Sequence, residues 1–200
     1  MNGLRPELQK ICEWIEPGSR VLDLGCGDGA LLSWLQNNCD TTGYGVEIDQ
    51  ANVLSCLKKG VNIIQADLDA GLTDFEDASF DYVIMTQALQ ALQRPDKTLY
   101  EMMRVGKKSI VTFPNFGLWK HRLHLSIKGQ MPVSKALPAQ WYDTQNIHLC
   151  TVKDFESFCE NNGMAISKKD FVDYDHRPAA LMKLWPNLFG EVALYQINGK

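Results

Sequence analysis

Val21-Leu-Asp-Leu-Gly-Cys-Gly-Asp-Gly29 decides the fold of this chain. A short apolar run leads into glycines at 25, 27 and 29, and Leu31, Leu32 and Leu35 follow at helical spacing. Buried strand, tight turn and helix start, in that order, form the unit on which many α/β domains hold a cofactor. Glycine suits the turn because it reaches backbone angles closed to other residues and lets a ligand approach the main chain.

Two cofactor classes fit such a loop. Gly25, Gly27 and Ala30 satisfy the dinucleotide pattern G-x-G-x-x-G/A, which keeps a nicotinamide or flavin reading open. The charges oppose it. Asp23 precedes the loop and Asp28 lies within it, where a pyrophosphate would have to approach the helix N-terminus. Two carboxylates repel that dianion, whereas S-adenosylmethionine (SAM) brings an ammonium and a sulfonium. The spacing D-x-G-x-G-x-G from Asp23 to Gly29 resembles the first motif of class I SAM-dependent methyltransferases.

On either side of this stretch, strands alternate with helices. An amphipathic helix is expected over residues 4–15, able to cover the sheet edge or the cofactor. Strands are expected at 20–24, 43–49, 61–66, 80–85 and 109–113, and helices at 28–37, after 49 and at 95–105. Residues 86–92 read as a loop or short helix. Such alternation predicts parallel crossovers and an α/β, doubly wound, mostly parallel sheet. Thr151-Val-Lys-Asp154 matches a capping box opening a helix, and two closing strands at 164–172 and 192–197 bracket a short helix after Pro178. The count is seven strands in a single domain over residues 1–200.

Residues 115–150 interrupt the alternation after strand five. They carry Phe116, Trp119, Trp141 and Tyr142, three of the four histidines, and a charge of +3 that leaves −7 for the remainder. A long insert of this kind is more often functional than idle.

Three later strand ends supply matching chemistry. Glu47, 24 residues after Asp23, can accept ribose hydroxyls, while Asp49 has a role of its own as a helix N-cap. Asp67 can accept the adenine amino hydrogens, with Leu68 over the ring. Gln87, after strand four, is the polar candidate beneath the methionine half.

Catalysis is less legible. Thr86-Gln-Ala-Leu-Gln90 lacks the N-P-P-Y-like run of amide- and base-directed methyltransferases. His121 and His124 read as solvated or core histidines, and no metal site is expected. His148, near Tyr142 and Asp143, is the acid–base candidate, with an aromatic packing corner as its alternative. The six cysteines show no C-x-x-C pair and no zinc-ribbon spacing and read as reduced thiols. A formal charge of −4 gives no case for nucleic acid as a partner. With no leader-like or long apolar run, membrane insertion is not expected and a cytoplasmic location is.

Pro114-Asn-Phe-Gly117 with Trp119 and Arg122, Gly129-Gln-Met-Pro132, and Leu137-Pro-x-x-Trp-Tyr-Asp-Thr-x-Asn-Ile-His-Leu-Cys150 closely resemble the MetW family of methionine biosynthesis. So do residues 43–49, 62–71 and Pro186-Asn-Leu-Phe189. The resemblance implies a class I methyltransferase, Rossmann-like fold and a role as partner or activator of a homoserine O-acyltransferase. It also implies cofactor contacts at Asp23, Gly25, Gly27, Glu47, Asp67 and Leu68, with SAM or S-adenosylhomocysteine as ligand. The alternative function is an active methyltransferase on a small metabolite, with the insert as substrate lid.

Overall fold

The computed structural model describes residues 4–174 and 179–199. Seven strands form one sheet: β1 (Arg20–Leu24), β2 (Thr42–Glu47), β3 (Ile63–Gln65), β4 (Phe80–Thr86), β5 (Gly106–Pro114), β6 (Met164–Val172) and β7 (Val192–Gly199). Their order is β3-β2-β1-β4-β5-β7-β6. β1 pairs in parallel with β2 and β4, and only β7 runs against its neighbours, β5 and β6. The order therefore reverses between β1 and β4, and the crevice at that switch point is where α/β sheets of this kind take ligands.

Side-chain alternation along each strand divides the interior into two cores. Val21, Tyr82, Ile84 and Ile110 pack on one face with residues of α1 (Pro6–Trp14), α2 (Ala30–Cys39) and α3 (Gln50–Lys58). Leu22, Leu24, Val83, Met85, Val111 and Phe113 face the other way, against α4 (Pro95–Val105) and α6 (Val152–Asn161). Both faces of β1 and β4 are covered, which is why these strands read as continuous apolar runs rather than as alternating ones.

Most elements fall where the periodicity places them. The capping box at Thr151 and Asp154 forms in both directions, and Asp49 caps α3 through Asn52 N–H at 2.9 Å. Three differences have physical causes. β3 shrinks to three residues because it is the exposed sheet edge and buries little. Residues 86–92 contain a single 3-10 turn, Leu89–Ala91. The insert contains a helix, α5 (Trp119–Lys128), that periodicity does not reveal. Of its side chains only His121 is buried, while Leu123, Leu125 and Ile127 are exposed, so there is no apolar stripe to read. The last two helices are α7 (Ala179–Leu184) and α8 (Pro186–Phe189); Pro178, expected to precede α7, lies outside the described residues.

Asn115 fastens the insert to the sheet. Its buried amide donates to the carbonyls of Gly190 (2.8 Å) and Asn187 (3.2 Å), and its oxygen accepts from the N–H of Gly117 (2.9 Å) and Val152 (3.3 Å). All its polar capacity is used inside the protein. This asparagine is a structural clip.

Candidate functional site

The loop after β1 turns through three glycines of positive φ: Gly25 at 68°, Gly27 at 56° and Gly29 at 74°. Gly29 opens α2 without a side-chain cap of its own, and Asp28 Oδ1 accepts the first N–H of that helix, from Ala30, at 3.2 Å. A Cβ added at Gly27 would meet nothing within 4 Å, and the loop is open on that side.

Glu47 holds the loop in this shape. Its buried carboxylate accepts Gly27 N–H through Oε2 (2.8 Å) and the N–H groups of Ile48 and Asp49 through Oε1 (2.9 Å each). Three backbone donors from two segments converge on one side chain. The end of β2 is thereby locked to the glycine turn, and Oε2 keeps lone-pair capacity for a further donor.

Two cavities adjoin at the switch point. The smaller, about 310 Å³, is lined by Arg5, Leu8, Asp23, Gly27 and Asp28 among others. The larger, about 560 Å³, is lined by Glu47, Asp67, Leu68, Gln87, Leu92 and Asn146 among others. Gly25 and Thr86, at the ends of β1 and β4, belong to both. All seven residues expected at the cofactor (Asp23, Gly25, Gly27, Glu47, Asp67, Leu68 and Gln87) thus line one cavity or the other.

Asp23 is 1 % exposed, and its Oδ1 has no hydrogen-bond partner among the described residues. Burial pushes its carboxyl up to about 7; Arg5 opposes the shift and Glu47 adds to it. The folded state therefore keeps a proton that the unfolded chain, with an ordinary carboxyl near 3.8, has released. Between pH 4 and 7 the folded state binds the extra proton, so stability falls as pH rises through that window and levels off above it. The full cost is about 4 kcal/mol at most. Asp23→Asn is expected to match the parent near pH 4 and to melt several degrees higher at pH 8. Thermal scans across this range test it, and parallel curves for the two proteins would contradict it.

The remaining acids differ in their surroundings. Asp67 is exposed, lines the larger cavity and accepts Asp69 N–H through Oδ1 (2.9 Å). Asp28 is bound to Lys59 at 2.5 Å, which holds its carboxyl below the usual range. Its repulsion of a pyrophosphate is thus partly neutralised, and the charge argument against a dinucleotide rests on Asp23.

Gln87 takes a left-handed backbone, φ 55°. Its amide donates to Glu7 Oε1 (2.7 Å) and lies 3.3 Å from the Tyr174 hydroxyl, which in turn donates to Glu7 Oε2 (3.1 Å). Burial, followed by the Glu7 carboxylate, pushes the Tyr174 hydroxyl up to about 12, so it stays protonated. Glu7 is fully buried and also pairs with Arg5 at 3.2 Å. Sequence reading missed this group, although one signal is present. Glu7 stands on the apolar stripe of α1 with Leu4, Leu8 and Ile11, where an acid needs partners.

The histidines lie elsewhere. His148 is exposed, borders neither cavity and lines a separate apolar groove with Leu99 and Phe158. His121 sits buried with Nε2 3.2 Å from Ser134 Oγ, and burial lowers its pKa. Among the described residues no group of three or more metal-ligating side chains forms. The cysteines are free; Cys26 and Cys56 meet at 3.9 Å beneath the glycine loop, and burial raises both thiols. Among the described residues, no helix is long and apolar enough to cross a membrane.

The sheet order and the loop at its switch point define a class I SAM-dependent methyltransferase fold. The same fold occurs in a solved SAM-dependent methyltransferase of Thermotoga maritima, possibly a histamine N-methyltransferase. That protein is 17% identical with a TM-score of 0.65, over 97% of this chain and 87% of that one. Within this fold class the chain belongs to the MetW family, whose model, described as methionine biosynthesis protein MetW, matches residues 5–197. A relative in Rhodopirellula baltica, the bifunctional methionine biosynthesis protein MetXA/MetW, is 34% identical over 96% of this chain and 32% of its own length. A phthiotriol/phenolphthiotriol dimycocerosates methyltransferase of Mycobacterium ulcerans is 30% identical over 44% of this chain and 34% of its own. The chain spans about a third of the length of these curated relatives.

Proposed function

We propose that this chain binds SAM or S-adenosylhomocysteine across the two adjoining cavities and acts in the cytoplasm as partner and activator of a homoserine O-acyltransferase. The residues present suit that ligand. Asp23 offers an unpartnered buried carboxylate to a cationic group, and Glu47 keeps an acceptor for ribose hydroxyls. Asp67 has a free oxygen for an amino group, and Leu68 offers an apolar cover beside it. Bound SAM supplies a methyl group activated by its sulfonium.

The partner reading rests on one observation: a relative carries MetXA and MetW in one polypeptide, so the two functions are joined there at fixed stoichiometry. The insert offers a surface for such contact. Trp141 and Tyr142 are 74% and 71% exposed and stack edge to face at 5.7 Å, the kind of aromatic anchor that dominates interfaces. Mixing the purified chain with a homoserine O-acyltransferase is expected to give a co-eluting complex and faster acyl transfer. No complex at low salt and an unchanged rate would overturn the reading. Trp141→Ala is expected to weaken the complex about tenfold or more and to leave S-adenosylhomocysteine affinity unchanged. Loss of nucleoside affinity with an intact complex would make the insert a cofactor cover instead.

The second reading, methyl transfer to a small metabolite, draws on the partial match to methyltransferases. Labelled SAM and a metabolite extract would then give a labelled product that Asp23→Ala abolishes. In calorimetry, heat from NAD with none from S-adenosylhomocysteine would remove both readings.

A further inference from the structure

We infer that the insert carries a second ligand site, separate from the cofactor crevice, which takes a small oxyanion of the phosphate class between α5 and the segment 132–135. The site is a cavity of about 330 Å³, within the usual range for small-molecule sites.

Its lining is cationic where that of the cofactor crevice is acidic. Lys120, His121 and His124 come from α5, and Lys135 stands on the facing segment. Glu191 is the one carboxylate among the described residues that line it, and its Oε2 accepts Tyr174 N–H at 3.1 Å. Lys120 and Lys135 are exposed and each is also engaged within the protein, but an ammonium has three donors and can serve a ligand as well. The start of α5 adds to the field. Its N-cap, Leu118, lines the cavity without capping the helix, and no acid stands in the first turn, so side chains leave the positive end of the dipole unneutralised.

The independent observation is His121. It is 3% exposed, and its Nδ1 has no hydrogen-bond partner among the described residues. Its Nε2 lies 3.2 Å from Ser134 Oγ, which also accepts Leu137 N–H at 3.2 Å. Ring and hydroxyl thus tie the two walls together. An anion in the cavity stabilises the imidazolium, whose Nε2–H then donates to Ser134 Oγ. The hydroxyl proton is left for the ligand. Ammonium groups from two walls, a hydroxyl and a helix start supply donors from several sides. A tetrahedral oxyanion can accept from all of them, whereas a planar carboxylate has only two oxygens.

Calorimetry in a chloride buffer with inorganic phosphate and with glycerol 3-phosphate tests the site. The parent is expected to bind one equivalent of each. Tighter binding of the ester would assign the site to a phosphorylated metabolite, and equal affinity to the free ion. Lys120→Gln and Lys135→Gln are each expected to weaken binding about tenfold or more. Lys128→Gln, in the same helix but outside the cavity, should leave it unchanged. In the parent, phosphate should also shift the ring NMR signals of His121 and His124 and not those of His148, which lines a different groove. No binding by the parent would overturn the site. So would an equal loss in Lys128→Gln, unshifted His121 and His124 signals, or displacement of phosphate by S-adenosylhomocysteine, which would put the anion in the cofactor crevice.

Discussion

Gly43→Ala is expected to remove most of the stability of this protein. Gly43 lies in β2 opposite Val21 of β1, with φ 144°. A Cβ there would stand 1.7 Å from the Val21 carbonyl oxygen and 2.9 Å from the Val21 nitrogen. Every obstructing atom is backbone, and that backbone belongs to the strand leading into the glycine loop, so relief means parting β1 from β2. A cost above about 4 kcal/mol is a large share of a typical domain's 5–15. Gly129→Ala provides the comparison. Gly129 also has positive φ, 63°, but nothing lies within 4 Å of an added Cβ, so only backbone strain of about 1 kcal/mol is expected. Urea denaturation of the two variants checks this. Equal midpoints would show that β1 and β2 can separate cheaply.

The second large effect is expected at Glu47. Truncation to alanine strands the N–H groups of Gly27, Ile48 and Asp49. Each unsatisfied donor costs about 1–3 kcal/mol when water cannot reach it, less where the open loop admits solvent. A total of about 3 kcal/mol, or a fall of roughly 6–12 °C in melting temperature, is expected for a chain of this size. Glu47→Gln separates the two roles of the side chain. Its remaining carbonyl oxygen can still accept from Ile48 and Asp49, so stability should fall between parent and alanine variant. S-adenosylhomocysteine affinity should drop in both. Unchanged melting of Glu47→Ala would mean that the glycine loop keeps its shape without the carboxylate.

The strand–turn–helix at 21–35 and the acids at 23, 47 and 67 were legible because their positions are local consequences of strand periodicity. An acid that ends a parallel strand must sit at the carboxyl edge, and topology then gathers three such edges. The Arg5–Glu7–Gln87–Tyr174 group was not legible, since its members lie on α1, after β4 and after β6 and no local pattern links them. Glu7 could have been singled out as a charge on an apolar stripe, but not its partners. Helix α5 escaped for the opposite reason: Leu123, Leu125 and Ile127 face outward, so the usual apolar signature is missing. The family resemblance over 115–150 marked that segment as specific without disclosing its shape.

One carbonyl has an influence out of proportion to its size. Gln90 O accepts both Ile147 N–H (2.9 Å) and His148 N–H (3.0 Å), and Gln90 itself is buried, with its amide on Pro114 O. Its neighbours Ala88, Ala91 and Leu92 floor the larger cavity, while Gln145 and Asn146, just before the two moored residues, form part of its rim. The aromatic segment therefore rides on the same short turn that a bound nucleoside would press against. Two backbone hydrogen bonds on one oxygen thus tie the position of Ile147 and His148 to that of the cavity lining.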